Sequence, residues 1–88
     1  MDYEQFEKAV DTLGILSRLS KKDLKQKYLK LSKRYHPDMP EGSSEKFLEI
    51  KQSYDLLCAY MDSYCFSFEK DEFLTQFPSF TNYKNWNR

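Results

Sequence analysis

The sequence of 88 residues predicts an all-α fold: a short N-terminal helix at about 2–13 beside an antiparallel helical hairpin, with helices at about 21–35 and 44–61. Two observations carry this. Apolar residues recur three or four positions apart in three separate stretches, the spacing of one helix face. Breakers are scarce, with 2 glycines and 3 prolines in all, and most of them fall between those stretches. Fifteen aromatics (7 Phe, 7 Tyr, 1 Trp) within a 40% hydrophobic composition argue for a folded chain. The length suits one small domain.

In the first helix Tyr3, Phe6, Val10 and Leu13 stand at offsets 0, 3, 7 and 10, with Asp2, Glu4, Glu7 and Asp11 on the outer face. Gly14 follows as the natural stop. Ser20 is the expected N-cap of the second helix, with Asp23 three residues on. Its apolar face is Leu24, Tyr28, Leu31 and Tyr35, at offsets 0, 4, 7 and 11, which span about 60° of arc. The residue before Pro37 is pushed out of the α region, so this helix must stop near His36. His36 to Gly42 holds two of the three prolines and reads as a stiff connector. Ser43 or Ser44 then caps a third helix whose inward positions are Phe47, Ile50, Tyr54, Leu57 and Met61. Each hairpin helix runs ~22–27 Å, and so short a connector makes them antiparallel neighbours.

Residues 62–88 form an aromatic-rich C-terminal extension carrying Tyr64, Phe66, Phe68, Phe73, Phe77, Phe80, Tyr83 and Trp86. A short helix is expected at about 69–76, ahead of Pro78. The aromatics are expected to fold back over the hairpin and enlarge its core; a docking segment for a partner is the alternative.

Composition excludes several classes. No stretch approaches the ~20 apolar residues of a membrane span, and Met1 to Val10 lacks the basic-then-apolar layout of a secretory leader; a cytoplasmic protein is expected. Cys58 and Cys65 are too few for a disulfide scaffold and read as reduced thiols. With one histidine they make no zinc site, and Gly14 and Gly42 make no phosphate loop, so neither metal nor cofactor is expected. His36 is the one good acid-base candidate by type, and the carboxylates fall on solvated helix faces, so the chain does not read as an enzyme.

Charge is unevenly distributed. The formal total is zero, yet Lys21 to Tyr35 carries seven bases (Lys21, Lys22, Lys25, Lys27, Lys30, Lys33, Arg34) and one acid. Such a face is either simply solvated or meets a negative partner. Against nucleic acid, it has one arginine, no asparagine, and Gln26 as its only amide for reading base edges. An acidic protein surface suits it, since complementary charge steers and orients association. The basic helix ends on His36-Pro37-Asp38, where Pro37 stiffens the backbone and Asp38 becomes a positioned anion able to engage a partner's arginine.

Leu13-Gly14-Ile15, the run from Leu24 through Tyr35-His36-Pro37-Asp38, and Phe47-Leu48-Glu49-Ile50-Lys51-Gln52-Ser53-Tyr54-Asp55-Leu56-Leu57 together resemble a J domain of the DnaJ type, over about residues 2–61. The resemblance implies a J domain at 1–61 that docks on a DnaK-type (seventy-kilodalton heat-shock) chaperone and stimulates its ATP hydrolysis, with no active site of its own. His36, Pro37 and Asp38 would be the stimulating tripeptide. Lys25, Tyr28 and Lys30, with Lys22, Lys33 and Arg34, would form the docking face of the second helix, and Phe47 would lie near the contact. Tyr28 and Phe47 are also expected to pack in the core. The alternatives are a J-like scaffold that does not stimulate and a small basic-helix nucleic-acid binder.

The sequence departs from the family in places. Leu29 and Leu48 stand where many J domains carry a basic residue, each pointing away from its helix's apolar face, either exposed or covered by the aromatic extension. Met39-Pro40 replaces the usual basic-polar pair after the tripeptide.

Overall fold

The computed structural model describes residues 1–78 and forms four helices there: α1 (Tyr3–Leu13), α2 (Lys21–Arg34), α3 (Ser44–Asp62) and α4 (Lys70–Gln76), with no strand among the described residues. Local side-chain chemistry sets most of the boundaries. The Gln5 amide N–H donates to Asp2 Oδ1 (2.8 Å) and the Asp2 N–H donates back to Gln5 Oε1 (3.3 Å), which caps α1 reciprocally. At its other end Gly14 adopts φ 67°, and the N–H groups of Gly14 and Ile15 donate to Asp11 and Val10 carbonyls (3.1 and 3.0 Å). Ser20 and Asp23 cap α2 in the same reciprocal way, at 3.1 and 3.3 Å. Asp23 in the first turn and Lys33 and Arg34 in the last complement the helix dipole. Ser43, the earlier of the two serines, caps α3 by accepting from the Lys46 N–H (3.2 Å).

α1 packs mainly on α3, α2 packs on α3 as well, and contact between α1 and α2 is slight. The buried core is Ala9 and Leu13 from α1, Leu24 from α2, and Ile50 and Leu57 from α3. Full burial of a leucine or isoleucine contributes about 1.5–3 kcal/mol. Phe6, Val10, Tyr28, Leu31, Tyr54 and Met61 close round it, partly buried. The expected face of α1 needs one correction: Tyr3 is 72% exposed and Ala9 is buried in its place. Tyr3 lies in the first turn, its ring beside Phe6 (6.2 Å). The small methyl of Ala9 instead lets α1 lie close against α3.

The hairpin is pinned at three levels. At the loop end the Ser43 N–H donates to the Tyr35 carbonyl (3.1 Å). Midway, Tyr28 and Tyr54 stack with ring centroids 4.2 Å apart and planes at 13°. At the open end Lys21 Nζ meets Asp62 Oδ1 at 2.6 Å.

Beyond α3, Ser63 ends the helix and the chain continues without helix to α4. Ring contacts there run along the chain, Tyr60 to Tyr64 (6.1 Å) and Tyr64 to Phe66 (5.7 Å), while Phe73 and Phe77 meet in and beyond α4 (5.2 Å). Of the aromatics expected to cover the hairpin, Phe66 and Phe68 face solvent instead, at 74% and 95% exposure. Phe80, Tyr83 and Trp86 lie outside the described residues.

Candidate functional site

The loop between α2 and α3 is two consecutive β-turns. The Met39 N–H donates to the His36 carbonyl and the Gly42 N–H to the Met39 carbonyl, each at 2.8 Å. Pro37 and Pro40 therefore occupy the second position of successive turns, where a fixed φ near −65° is pre-set for the bend. Gly42 is needed for another reason. A Cβ there would overlap the His36 carbonyl oxygen and stand 2.8 Å from that of Met39, so the backbone folds onto itself where only hydrogen fits.

This framework fixes His36 and Asp38. The Asp38 N–H donates to His36 Nδ1 at 3.2 Å, and Nδ1 lies 3.6 Å from Asp38 Oδ2. One nitrogen cannot both accept from the N–H and donate to the carboxylate; in the neutral ring the shorter contact applies, and the proton sits on Nε2. The ring stands edge-on to Phe47 of α3, centroids 5.4 Å apart at 81°. The Asp38 side chain is 90% exposed.

Arg34 is already engaged. Its Nε donates to Glu41 Oε2 (3.2 Å), which raises the guanidinium pKa, and its Cζ lies 5.3 Å from the Tyr35 ring centroid. Lys46 reaches the same ring at 4.6 Å. Glu41, Gly42 and Lys46 are the residues that sequence reasoning missed. A basic residue followed seven positions later by an acid across a tight turn was the available signal for Glu41.

Lys22, Lys25, Lys30 and Lys33 are exposed along α2. Lys30 and Lys33, with Gln26, Lys27 and Leu29, line a shallow depression of about 380 Å³. Leu29 is 47% exposed and Leu48 55%, so both are open apolar positions. The structure thus gathers Arg34, His36, Pro37, Asp38 and Phe47 at the tip, with Lys30 and Lys33 on the adjoining turns. Lys22 stands at the far end of α2, about 18 Å from Arg34 at 1.5 Å per residue. Tyr28 is half-buried against Tyr54, whose phenol pKa is pushed up by its hydrogen bond with Cys58 and by burial. Among the described residues no group of His, Cys, Asp and Glu could hold a metal ion, and no helix is long and apolar enough to cross a membrane.

The chaperone proteins DnaJ of Staphylococcus aureus strains JH1, Mu3 and MW2 are each 49% identical to the chain over 49 residues, covering 53% of this chain and 13% of their own length. The chain thus spans about an eighth of the curated relatives it matches. No solved structure matches it. The family model of the DnaJ domain matches residues 9–61, from the middle of α1 to the last turn of α3 and including the whole loop, and the chain belongs to the DnaJ domain family.

Proposed function

We propose that this chain is a co-chaperone module that docks on a DnaK-type chaperone and stimulates its ATP hydrolysis through His36-Pro37-Asp38. The observation that carries this is the presentation of Asp38. A carboxylate 90% exposed is held on a doubly turned, proline-stiffened loop at the end of a helix rich in lysine. Lys22, Lys25, Lys30 and Lys33 attract carboxylates on the partner and orient the approach, over a screening length of ~8 Å at physiological salt. Asp38 then competes for an arginine that holds the partner in its slow state. His36 fixes the Asp38 backbone, Phe47 backs the His36 ring, and Arg34 braces the loop through Glu41.

Stimulation of this kind is a coupling between sites: docking favours one conformation of the partner, and the bond-breaking chemistry remains the partner's own. On this reading the chain itself supplies no reacting group. Cys58 and Cys65 are free thiols, which suits a reducing compartment, and we place the activity in the cytoplasm.

The test is single-turnover ATP hydrolysis by a DnaK-type chaperone with wild type, His36→Gln and Asp38→Asn. A hydrogen bond to a charged group contributes about 1.5–3 kcal/mol, so Asp38→Asn is expected to lower stimulation by about tenfold or more. Absence of stimulation by wild type refutes the co-chaperone function. Equal stimulation by all three refutes the role of the tripeptide.

A further inference from the structure

The end of the hairpin away from the His36-Pro37-Asp38 loop holds an apolar groove of about 170 Å³. Phe6 and Val10 of α1, Ile15 and Leu19 of the following segment, and Tyr60 and Met61 of α3 line it. A strip of aromatic rings leads out of the groove: Phe6 to Tyr60 (4.8 Å), Tyr60 to Tyr64 (6.1 Å) and Tyr64 to Phe66 (5.7 Å), with Tyr3 alongside Phe6. Tyr3 is 72% exposed and Phe66 74%. Contiguous exposed apolar surface beside a concave site marks docking surfaces on soluble proteins.

Charge indicates what docks there. α1 and its cap carry Asp2, Glu4, Glu7 and Asp11 against one base, Lys8. Glu7 is one helical turn from both Tyr3 and Val10, so its carboxylate borders the strip. Lys21 is neutralised by Asp62, and Arg18 is the base on the segment lining the groove. The exposed faces of Tyr64 and Phe66 also attract cations. Carboxylates and ring faces therefore favour a basic ligand over α4 of a second copy, whose first turn carries Asp71 and Glu72 against the one base Lys70.

We propose that the groove and strip bind an extended peptide segment of another protein in which apolar side chains alternate with lysine or arginine. This site lies outside the chaperone-docking loop and does not rest on the function proposed for it.

The test is fluorescence anisotropy of the full chain with a labelled nonapeptide of alternating leucine and lysine, at about 0.15 M ionic strength. Saturable binding is expected, lost with a leucine-to-serine peptide of the same charge and weaker with a leucine–glutamate peptide. Tyr64→Ala with Phe66→Ala, both on the exposed strip, should weaken binding about tenfold, and Glu7→Lys should weaken it several-fold. Equal binding of the lysine, serine and glutamate peptides, or no loss in the variants, overturns the proposal. A dimer in sedimentation that the same two substitutions dissolve would make a second copy the occupant and overturn it. A red shift of Trp86 emission on adding peptide would make the chain's own C-terminus the occupant and overturn it likewise.

Discussion

Replacing Gly42 with alanine is expected to damage stability and loop geometry together, without touching His36, Pro37 or Asp38. The added Cβ would overlap the His36 carbonyl oxygen and lie 2.8 Å from the Met39 oxygen and 2.9 Å from the His36 carbonyl carbon. Ordinary contact is about 3.5 Å, and every obstructing atom is backbone, so no side-chain rotation relieves the overlap. The loop must open by about an ångström or more. Three hydrogen bonds are then strained: Met39 N–H to His36 O, Gly42 N–H to Met39 O, and Ser43 N–H to Tyr35 O. At ~0.5–1.5 kcal/mol each in an exposed loop the loss is about 2 kcal/mol. For a domain this small that lowers Tm by roughly 8–16 °C.

Gly14→Ala is the control, because the two glycines are needed for different reasons. Gly14 has φ +67° and nothing within 4 Å of where a Cβ would stand, so alanine there meets only the left-handed backbone penalty. That penalty is ~1 kcal/mol, or roughly 4–8 °C. Circular-dichroism melts with single-turnover hydrolysis separate the two: Gly42→Ala should lose both stability and stimulation, Gly14→Ala stability alone. A Gly42→Ala protein that melts and stimulates as wild type would refute the close packing of the His36 carbonyl on Gly42 as what shapes the loop.

Two further outcomes follow from the packing. Ala9→Leu forces extra volume between α1 and α3 where Ala9 is 3% exposed, and urea unfolding should show a loss of about 1–3 kcal/mol; an unchanged midpoint would mean the helices are not in close contact there. The hydrogen bond and charge of Asp62 raise the Lys21 pKa above 10.5. A raised pKa means this pair stabilises the fold fully below 10.5 and loses its contribution as pH climbs through the raised value. The small Tm gap between wild type and Asp62→Asn at neutral pH should therefore close above pH 10.5, and a gap that persists in strong alkali would refute the pairing.

Local rules made the helices and their ends legible. Gly14, Ser20 with Asp23, and Pro37 each act within four residues of a helix boundary, where hydrogen-bonding and steric preferences do not depend on the rest of the chain. The inward positions Leu13, Leu24, Ile50 and Leu57 follow from periodicity for the same reason. Periodicity put Tyr3 on the inner face of α1 and passed over Ala9. Hydropathy favours the larger residue, but burial is decided by how closely another helix passes.

The candidate site divides along the same line. The sequence by itself determined its ingredients: a lysine-rich helix, a proline-limited stop at His36, and a carboxylate two residues beyond. Only tertiary structure decided how they are held. Phe47 reaches the His36 ring because α3 returns alongside α2, Arg34 pairs with Glu41 across the loop while its side chain stays 59% exposed, and Gly42 has no room for a side chain because the loop folds onto its own carbonyls. It also left Phe66 and Phe68 in solvent, where composition alone favoured covering the core. Spacing along a chain encodes periodic faces and caps; contacts between segments brought together by folding depend on distances that no spacing contains.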